Sequence, residues 1–368
     1  MTDYYVDSSA TGGGSGTTTG DPFDLSEMWS QISSQASGNV FNVKAGTYIL
    51  DAAYLPFAAG STTAPAIIRG YTTTPNDLIA KPTTSLTAGT DYPLFKATTA
   101  SQYAGINGSY WHIENMGFES TANRPAWYLR TAISSYLNCS FLASYSGSNV
   151  AAISSYGSRN HFVGCWFEST NASSTQNNVS VSSHNDFYGC VFKCATTGAN
   201  INLAGYGGVH QSVIIGGLVG FQQSYAGALG MVCGNTFYNC TTGVRYRNDN
   251  DKYLCSNNLF HSCTTGIDFF SSTTSFAPIV NNSFYNCTTN IDPHNSLMPA
   301  LATIVESSDP LVNAGTDFAL VDGAASVASG YPYIYPLIAQ QQFLDVGGVQ
   351  KQSSGSSGGS STFHPLAQ

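Results

Sequence analysis

Charged side chains are scarce in this sequence. Asp, Glu, Lys and Arg together make up 9% of its 368 residues, well below the quarter that is usual in globular proteins. Only 12 residues are Lys or Arg, and the formal net charge is −9 with a pI near 5.0. A protein this poor in positive charge is a weak match for a nucleic-acid backbone, so we expect no nucleic-acid partner.

Long apolar runs are missing as well. No stretch of 18 apolar residues occurs, so the sequence predicts no membrane-spanning segment. The opening MTDYYVDSSATGGG has neither a basic region nor an apolar core, and it therefore does not resemble a signal peptide. We expect cytoplasmic synthesis, followed by retention or by release through lysis or another route.

A repeated segment dominates the middle of the chain. MVCGNTFYNCTTGV, LCSNNLFHSCTTGI and IVNNSFYNCTTNI align on Phe237, Phe260 and Phe284, at intervals of 23 and 24 residues. Repeats of this length stack on one another, because each is too short to bury its own apolar face. Their Val, Ile, Phe, Tyr and Thr content indicates strands. The sequence therefore predicts an all-β fold, a parallel β-helix.

The repeat extends upstream, and its aligned columns predict which side chains face inward. Three residues before each aromatic position stands Gly or Asn, residue types that tolerate a left-handed backbone, which we interpret as a bend between two strands. The aromatic position is expected at Phe118, Phe141, Phe167, Phe192, Val219, Phe237, Phe260 and Phe284. The bend is expected at Asn115, Asn138, Gly164, Gly189, Gly216, Gly234, Asn257 and Asn281.

Two columns of identical polar or sulfur-containing residues face the predicted interior. Asn235, Asn258 and Asn282 would stack about 4.8 Å apart, which allows their amides to hydrogen bond along the stack. Cys240, Cys263 and Cys287 form a second stack. We interpret both ladders as structural and expect the cysteines to be reduced.

The chain divides into four predicted parts. Residues 1–60 form an N-terminal cap and first coil, in which Leu25, Met28, Trp29 and Ile32 have helical spacing. Residues 61–292 form the coils, and residues 293–350 an irregular last coil and a cover. Residues 351–368 are a Gly/Ser linker and a terminal peptide.

The terminal peptide contains Phe363, His364, Pro365 and Leu366 after a segment with no large apolar residue. An apolar peptide on a flexible tether is typical of docking to another chain, and a tail without function is the alternative.

The N-terminal YYVDSSATGG, GDPFDLSEMWSQI and VFNVKAGTY resemble the cap and first coil of the pectate-lyase-like right-handed parallel β-helix superfamily. DPLVN, DFALVDG and DVGGVQ resemble its closing coil. The resemblance covers about 350 residues. It implies the fold but no single function, because the superfamily includes polysaccharide lyases, hydrolases, phage tailspikes and non-catalytic virion proteins.

Two outward columns carry candidate catalytic residues. Glu119 and Glu168 lie two coils apart, roughly 9–10 Å, close to the upper separation of an inverting carboxylate pair. The other column contains His112, Ser135, His161 and Asp186, in which His161 and Asp186 are neighbours and could act as a base with its orienting carboxylate. Solvated side chains on a sheet face are the structural alternative for both.

Asp249, Asn250 and Asp251 lie in the most highly charged loop and could hold Ca²⁺, although no EF-hand spacing supports this. We otherwise expect no metal and no cofactor.

The sequence favours a non-catalytic component of a particle, such as a virion decoration or spike protein that forms a homo-oligomer and contacts other protein subunits. Low charge, the absent signal peptide and the terminal peptide support this hypothesis. It places the protein on a particle surface, with an extracellular location as the alternative. The alternative function is a polysaccharide depolymerase of the tailspike type, either a lyase or a glycoside hydrolase, whose partner would be a polysaccharide.

Overall fold

The computed structural model describes residues 1–54, 59–77, 91–130, 133–145, 151–155, 157–170, 177–182, 184–195, 198–223, 229–247, 252–270, 278–293, 300–301, 303–313, 317–321 and 324–325. Three parallel sheets run along the molecule, and the chain visits them in a fixed order once per coil. This is the predicted β-helix. Within the described ranges, no helix has the length and apolar character needed to cross a bilayer.

The first sheet has 12 strands. They are Asp3–Val6, Val40–Lys44, Ala66–Tyr71, Trp111–Glu114, Ser134–Leu137, Asn160–Val163, Asn185–Tyr188, Gly207–His210, Leu229–Cys233, Lys252–Ser256, Ile279–Val280 and Ala300–Leu301.

The second sheet has 11 strands. They are Gly46–Ile49, Pro93–Ala97, Gly117–Ser120, Ser140–Ala143, Trp166–Ser169, Val191–Cys194, Val213–Gly216, Thr236–Tyr238, Leu259–His261, Ser283–Tyr285 and Ile304–Val305.

The third sheet has 10 strands. They are Ala53–Tyr54, Tyr103–Ile106, Trp127–Leu129, Ile153–Ser155, Val179–Val181, Ala199–Leu203, Val219–Gln223, Thr242–Arg245, Thr265–Asp268 and Thr289–Asp292. A separate antiparallel pair joins Leu311–Asn313 to Asp317–Leu320.

The core is a set of stacked aromatic rings inside the coils. Phe141, Phe167 and Phe192 are fully buried and stack with ring centroids 5.2 and 4.9 Å apart. Phe237, Phe260 and Phe284 continue the same column further along. Parallel in-register strands place identical residues directly above one another, which is why a repeated Phe yields a continuous stack.

Most predicted bends are confirmed, but one coil was aligned wrongly. Asn115, Asn138, Gly164, Gly189, Gly234, Asn257 and Asn281 all have a left-handed backbone with φ between 51° and 67°. In the coil between Phe192 and Phe237, however, Ile214 occupies the aromatic position and Gln211 the bend. Val219 instead opens a strand of the third sheet. Gly216 is left-handed too, but it forms the bend that follows the second-sheet strand of that coil, not the bend that precedes it. Because Gly also occupies the preceding bend in other coils, the alignment assigned Gly216 to that bend.

The predicted asparagine ladder is present as hydrogen bonds. Asn235, Asn258 and Asn282 are fully buried, and the side-chain Nδ2 of each of the first two donates to Oδ1 of the next at 3.0 and 2.9 Å. The backbone N–H groups of Asn235 and Asn258 donate to the same oxygens. Each buried amide therefore has hydrogen-bond partners, and Asn258 has them in both neighbouring coils.

The nine cysteines are all free thiols. The hydrogen bond with Cys240, followed by burial, holds the pKa of Cys263 well above its usual value, and a hydrogen bond with Cys287 offsets this only in part. A thiol with a raised pKa is a poor nucleophile, in keeping with a structural role for the stack.

A helix, Leu25–Ser34, closes the N-terminal end of the core, as predicted. Asp24 caps it, because its side chain accepts from the backbone of Glu27 while the Glu27 carboxylate accepts from the backbone of Asp24. Met28, Trp29 and Ile32 are buried on its inner face.

The antiparallel pair covers the outer face of the second sheet near its C-terminal end. Leu311 and Leu320 pack on Leu259, and Phe318 contacts Tyr238. His261, on the same face, becomes buried and its Nε2 lies 3.0 Å from Asp309. Residues 363–366, the predicted docking peptide, and the proposed division at residues 350 and 351 lie outside the described residues, so both stay predictions.

Candidate active site

A line of polar side chains follows the outer face of the first sheet. His112, Ser135, His161 and Asp186 are directly in register on consecutive strands. Their neighbours Ile113, Tyr136, Phe162 and Phe187 are fully buried, so the four polar residues face outward by strand alternation. Gly208 and Met231 continue the line in the next two coils.

His161 and Asp186 form the central pair of this line. His161 Nδ1 lies 3.8 Å from Asp186 Oδ2, and the two side chains are 55% and 28% exposed. Burial raises the pKa of Asp186, and the charges of His161 and His184 and a hydrogen bond from the Gly208 backbone offset this only in part. Asp186 therefore keeps its proton to a higher pH than an ordinary aspartate does.

Asp186 forms one wall of an open depression with a volume of about 260 Å³. The lining is His184, Asp186, Gly207, His210, Gly230 and Met231. Gly208 is next to Asp186 in register, and a Cβ there would collide with the ring of His210 and the carbonyl of Met231. The absence of a side chain at Gly208 therefore accommodates the His210 ring, which forms another part of the lining.

Two further histidines, His184 and His210, line the depression. His210 is 3% exposed and stacks on Tyr188 with ring centroids 4.7 Å apart, and burial lowers its pKa to about 4. It is therefore neutral at physiological pH. His184 stacks on Tyr206, whose side chain is 43% exposed, at 4.8 Å. The sequence alignment missed both histidines, although His184 directly precedes a first-sheet strand and His210 ends one.

A residue with a left-handed backbone directly precedes each of the four strands that carry the polar line. Tyr110, Ile133, Arg159 and His184 have φ between 60° and 62°. Such a backbone costs free energy for residues other than Gly and Asn, and costs of this kind are concentrated at functional sites. Arg159 is exposed and precedes its strand at the same position as His184, so the two residues lie at the same edge of the sheet.

A second hydrogen-bonded group stands at the other end of the line. His112 Nδ1 lies 2.7 Å from Ser135 Oγ, and His112 Nε2 lies 3.1 Å from Glu114 Oε2. Glu114 also forms an ion pair with Arg69, the residue in register with it. Burial alone would raise the pKa of Glu114, but His112 and Arg69 outweigh it and the pKa is lowered overall. Glu114 and Arg69 were not among the predicted site residues. The sequence signal for their pairing was the presence of two outward residues of opposite charge in adjacent coils.

Glu119 and Glu168 lie on the second sheet, away from this line. Both face outward on either side of the buried Leu142. Each is paired with its own lysine at 3.1 Å, Glu119 with Lys96 and Glu168 with Lys193, and each is only 6% exposed. The four candidate residues are thus divided between two faces, and the two glutamates are neutralised by lysines.

No group of three or more His, Cys, Asp or Glu side chains within the described ranges is arranged to hold a metal ion. Asp249, Asn250 and Asp251, the predicted calcium ligands, lie outside those ranges, so this site stays a prediction.

Comparison with known proteins gives a likeness of structure only. No protein-family model matches the chain, and no curated protein matches it by sequence. The structure of pectate lyase Pel9A superposes with a TM-score of 0.61 at 14% identity, over 96% of this chain and 97% of that one. A rhamnogalacturonan lyase superposes with a TM-score of 0.51 at 11% identity, over 85% and 91%. At these identities the likeness establishes the fold alone: the chain is a right-handed parallel β-helix, as these two lyases are.

Proposed function

We propose that the protein is a polysaccharide depolymerase that cleaves an acidic glycan on the outer face of its first sheet. The observation that carries this proposal is the pair His161 and Asp186 beside an open depression. The depolymerase function is thus favoured over the non-catalytic role on a particle. The particle role stays a prediction, because the peptide on which it depends lies outside the described residues.

The composition of the depression favours elimination over hydrolysis. Hydrolysis of a glycosidic bond ordinarily uses two facing carboxyl groups. Asp186 is the only carboxylate among the residues that line the described depression. A histidine with an orienting carboxylate is instead suited to removing a proton, because the unperturbed pKa of imidazole lies closest to neutrality.

The reaction follows from this pair. His161 takes the proton on the carbon next to the carboxylate of a uronate residue, and Asp186 holds the imidazolium that forms. The bond to the leaving sugar oxygen breaks as a carbon–carbon double bond forms, and the leaving oxygen takes the proton from the His161 imidazolium, which restores the base. No water is consumed, so one new chain end carries the double bond.

Three features suit this face to an acidic glycan. Arg159 supplies a positive charge near a uronate carboxylate, where charge neutralisation makes the adjacent proton more acidic. Tyr206, stacked on His184, offers an exposed ring against the apolar face of a sugar. Neighbouring coils are about 4.8 Å apart, close to the length of one sugar unit, so consecutive sugars can meet consecutive coils.

The test is incubation of the full chain with polygalacturonate, alginate and the neutral glycan dextran, followed by measurement of chain length. We expect one of the polyuronates to shorten and dextran to remain intact. His161→Ala and Asp186→Asn should each lower the rate by about 100-fold or more, the usual contribution of a general base.

Glu168→Gln separates the two carboxylate candidates. It makes the same chemical change as Asp186→Asn, but on the second sheet, and we expect it to retain activity once its melting temperature shows that it is folded. Activity lost in Glu168→Gln and kept in Asp186→Asn would move the site to the other face. Intact polyuronates throughout would contradict the proposal.

A further inference from the structure

We propose that Ser135, His112 and Glu114 form a second site that hydrolyses short acyl esters. The three residues are linked by hydrogen bonds in the order that a serine hydrolase requires, a hydroxyl, an imidazole and a carboxylate. Nothing in the elimination chemistry of His161 and Asp186 uses them. The site therefore adds an activity to the proposed one.

The distances fit an activated serine. Ser135 Oγ lies 2.7 Å from His112 Nδ1, and His112 Nε2 lies 3.1 Å from Glu114 Oε2. When Glu114 accepts a hydrogen bond from Nε2–H, Nδ1 carries the free electron pair that can take the proton of Ser135. The carboxylate thus selects the tautomer of His112 that acts as a base.

The carboxylate itself is held in place. Arg69 stands in register with Glu114 on the preceding strand and forms an ion pair with it. The Glu114 side chain is 12% exposed, whereas that of His112 is 30% exposed and Ser135 is half-buried. Glu114 is therefore the most buried of the three, so the orienting carboxylate stays ordered while His112 and Ser135 remain partly exposed to a substrate.

A second polar side chain lies on the side of Ser135 opposite His112. His161 is in register with Ser135 on the following strand, and its side chain is 55% exposed. The two residues are one strand spacing apart, about 4.8 Å, and a protonated His161 has a second N–H, besides the one that faces Asp186, to donate to the oxygen that becomes negative during attack. The two sites therefore share one side of the same outward line.

Each step of the reaction is balanced. Ser135 Oγ bonds to the ester carbonyl carbon while its proton passes to His112 Nδ1. The bond to the alcohol oxygen breaks, and that oxygen leaves with the proton from His112. Water then attacks the acyl group on Ser135, with His112 again taking and returning a proton, which releases the acid and restores the serine. The substrate class is a small acyl ester; its location on a glycan lying along the first sheet rests on the proposed function.

The test uses the full chain and p-nitrophenyl acetate, which needs no glycan. We expect release of nitrophenol, with kcat lowered by about 100-fold or more in Ser135→Ala and in His112→Ala. A fluorophosphonate probe should label the protein, and peptide mass spectrometry should locate the label on Ser135. Ser154→Ala is the matched control, because Ser154 is also half-buried on an outer sheet face, and it should hydrolyse and label as the wild type does.

Glu114 is a positioning residue, so its test must separate orientation from folding. Glu114→Gln should lower kcat with little change in KM, and Glu114→Asp should restore part of the loss, at unchanged melting temperatures. Equal hydrolysis by wild type and Ser135→Ala, labelling at another residue, or no hydrolysis by folded wild type would overturn the proposal. Ester hydrolysis without glycan cleavage would support this site and count against the depolymerase, whereas the reverse result would do the opposite.

Discussion

Asn258 is held on both sides by groups of its neighbouring coils. Its Nδ2 donates to the carbonyl of Val232 at 2.7 Å and to Asn282 Oδ1 at 2.9 Å. Its Oδ1 accepts from both the backbone and the side chain of Asn235. The residue is fully buried, so none of these groups can turn to water if a partner is removed.

Asn258→Leu should therefore destabilise the protein more than its size suggests. It removes the partners of Asn235 while that residue stays buried, and each unsatisfied buried group costs about 1–3 kcal/mol. The measurement is the free energy of unfolding in denaturant. Asn202→Leu is the control, because Asn202 Oδ1 accepts no hydrogen bond from the described residues. A loss no greater than that of the control would show that the ladder contributes little.

His210 makes stability depend on pH. Burial lowers its pKa to about 4, from a usual value of 6.5, so between these values the unfolded chain binds a proton that the folded chain does not. The stability that a neutral, buried His210 contributes is fully present above about pH 6.5. As the pH falls towards 4 it is lost, and the free energy of unfolding falls by at most about 3 kcal/mol.

His210→Phe should remove this dependence while keeping the stack on Tyr188. Asp186, whose pKa is raised, contributes with the opposite sign, so the informative quantity is the difference between the variant and the wild type. Thermal unfolding at pH 7 and at pH 4.5 measures it. An identical fall in melting temperature for both proteins would contradict a buried neutral His210.

The residue type predicted a left-handed backbone only where the residue is Gly or Asn. Gly164 and Asn257 are left-handed, as expected for Gly and Asn. Ile133 and Arg159 are left-handed too, although β-branched and long side chains disfavour this conformation. Their conformation is imposed by hydrogen bonds between coils, such as that from the Ile133 backbone N–H to the Ser158 carbonyl. A sequence read residue by residue does not reveal such contacts.

At the scale of elements, strand alternation predicted which residues of neighbouring coils share a column. The prediction failed in a coil of different length. Phe141 and Phe167 were placed correctly because their coils preserve both the aromatic residue and the bend. The coil of Ile214 has an aliphatic residue in place of Phe and Gln211 in place of Gly or Asn, so nothing local marked its register. The stacked neighbours determine that register through backbone hydrogen bonds.

The helix Leu25–Ser34 depends on its N-cap residue, Asp24. Asp24→Ala removes the side chain that accepts from the Glu27 backbone and should cost about 1 kcal/mol. Because the helix covers the end of the core with Trp29, the loss should appear in global unfolding measured by circular dichroism. Ser30→Ala, at an exposed position of the same helix, is the control and should be neutral or slightly stabilising. Equal stability of the two variants would show that the cap is not coupled to the core.

At the scale of the whole molecule, the repeat itself assembles the candidate sites. His161 and Asp186 are 25 residues apart in the sequence and in register in the fold, and column alignment alone predicted this pairing. The same reasoning grouped Glu119 with Glu168 but did not predict that Lys96 and Lys193 neutralise them. His184 and His210 were missed because they lie at a bend and at a strand end, where the column pattern gives no direction for a side chain.

The proposed elimination by His161 and Asp186 is best tested by measuring the mass of the chain ends formed from an acidic polysaccharide. Elimination by His161 leaves a fragment that lacks one water relative to a hydrolysis product, so mass spectrometry distinguishes the two reactions. The account predicts unsaturated ends from a polyuronate with wild-type protein and none with the His161→Ala, Asp186→Asn double variant. Ends that carry the added water, unsaturated ends that persist in the folded double variant, or no new ends at all would contradict it.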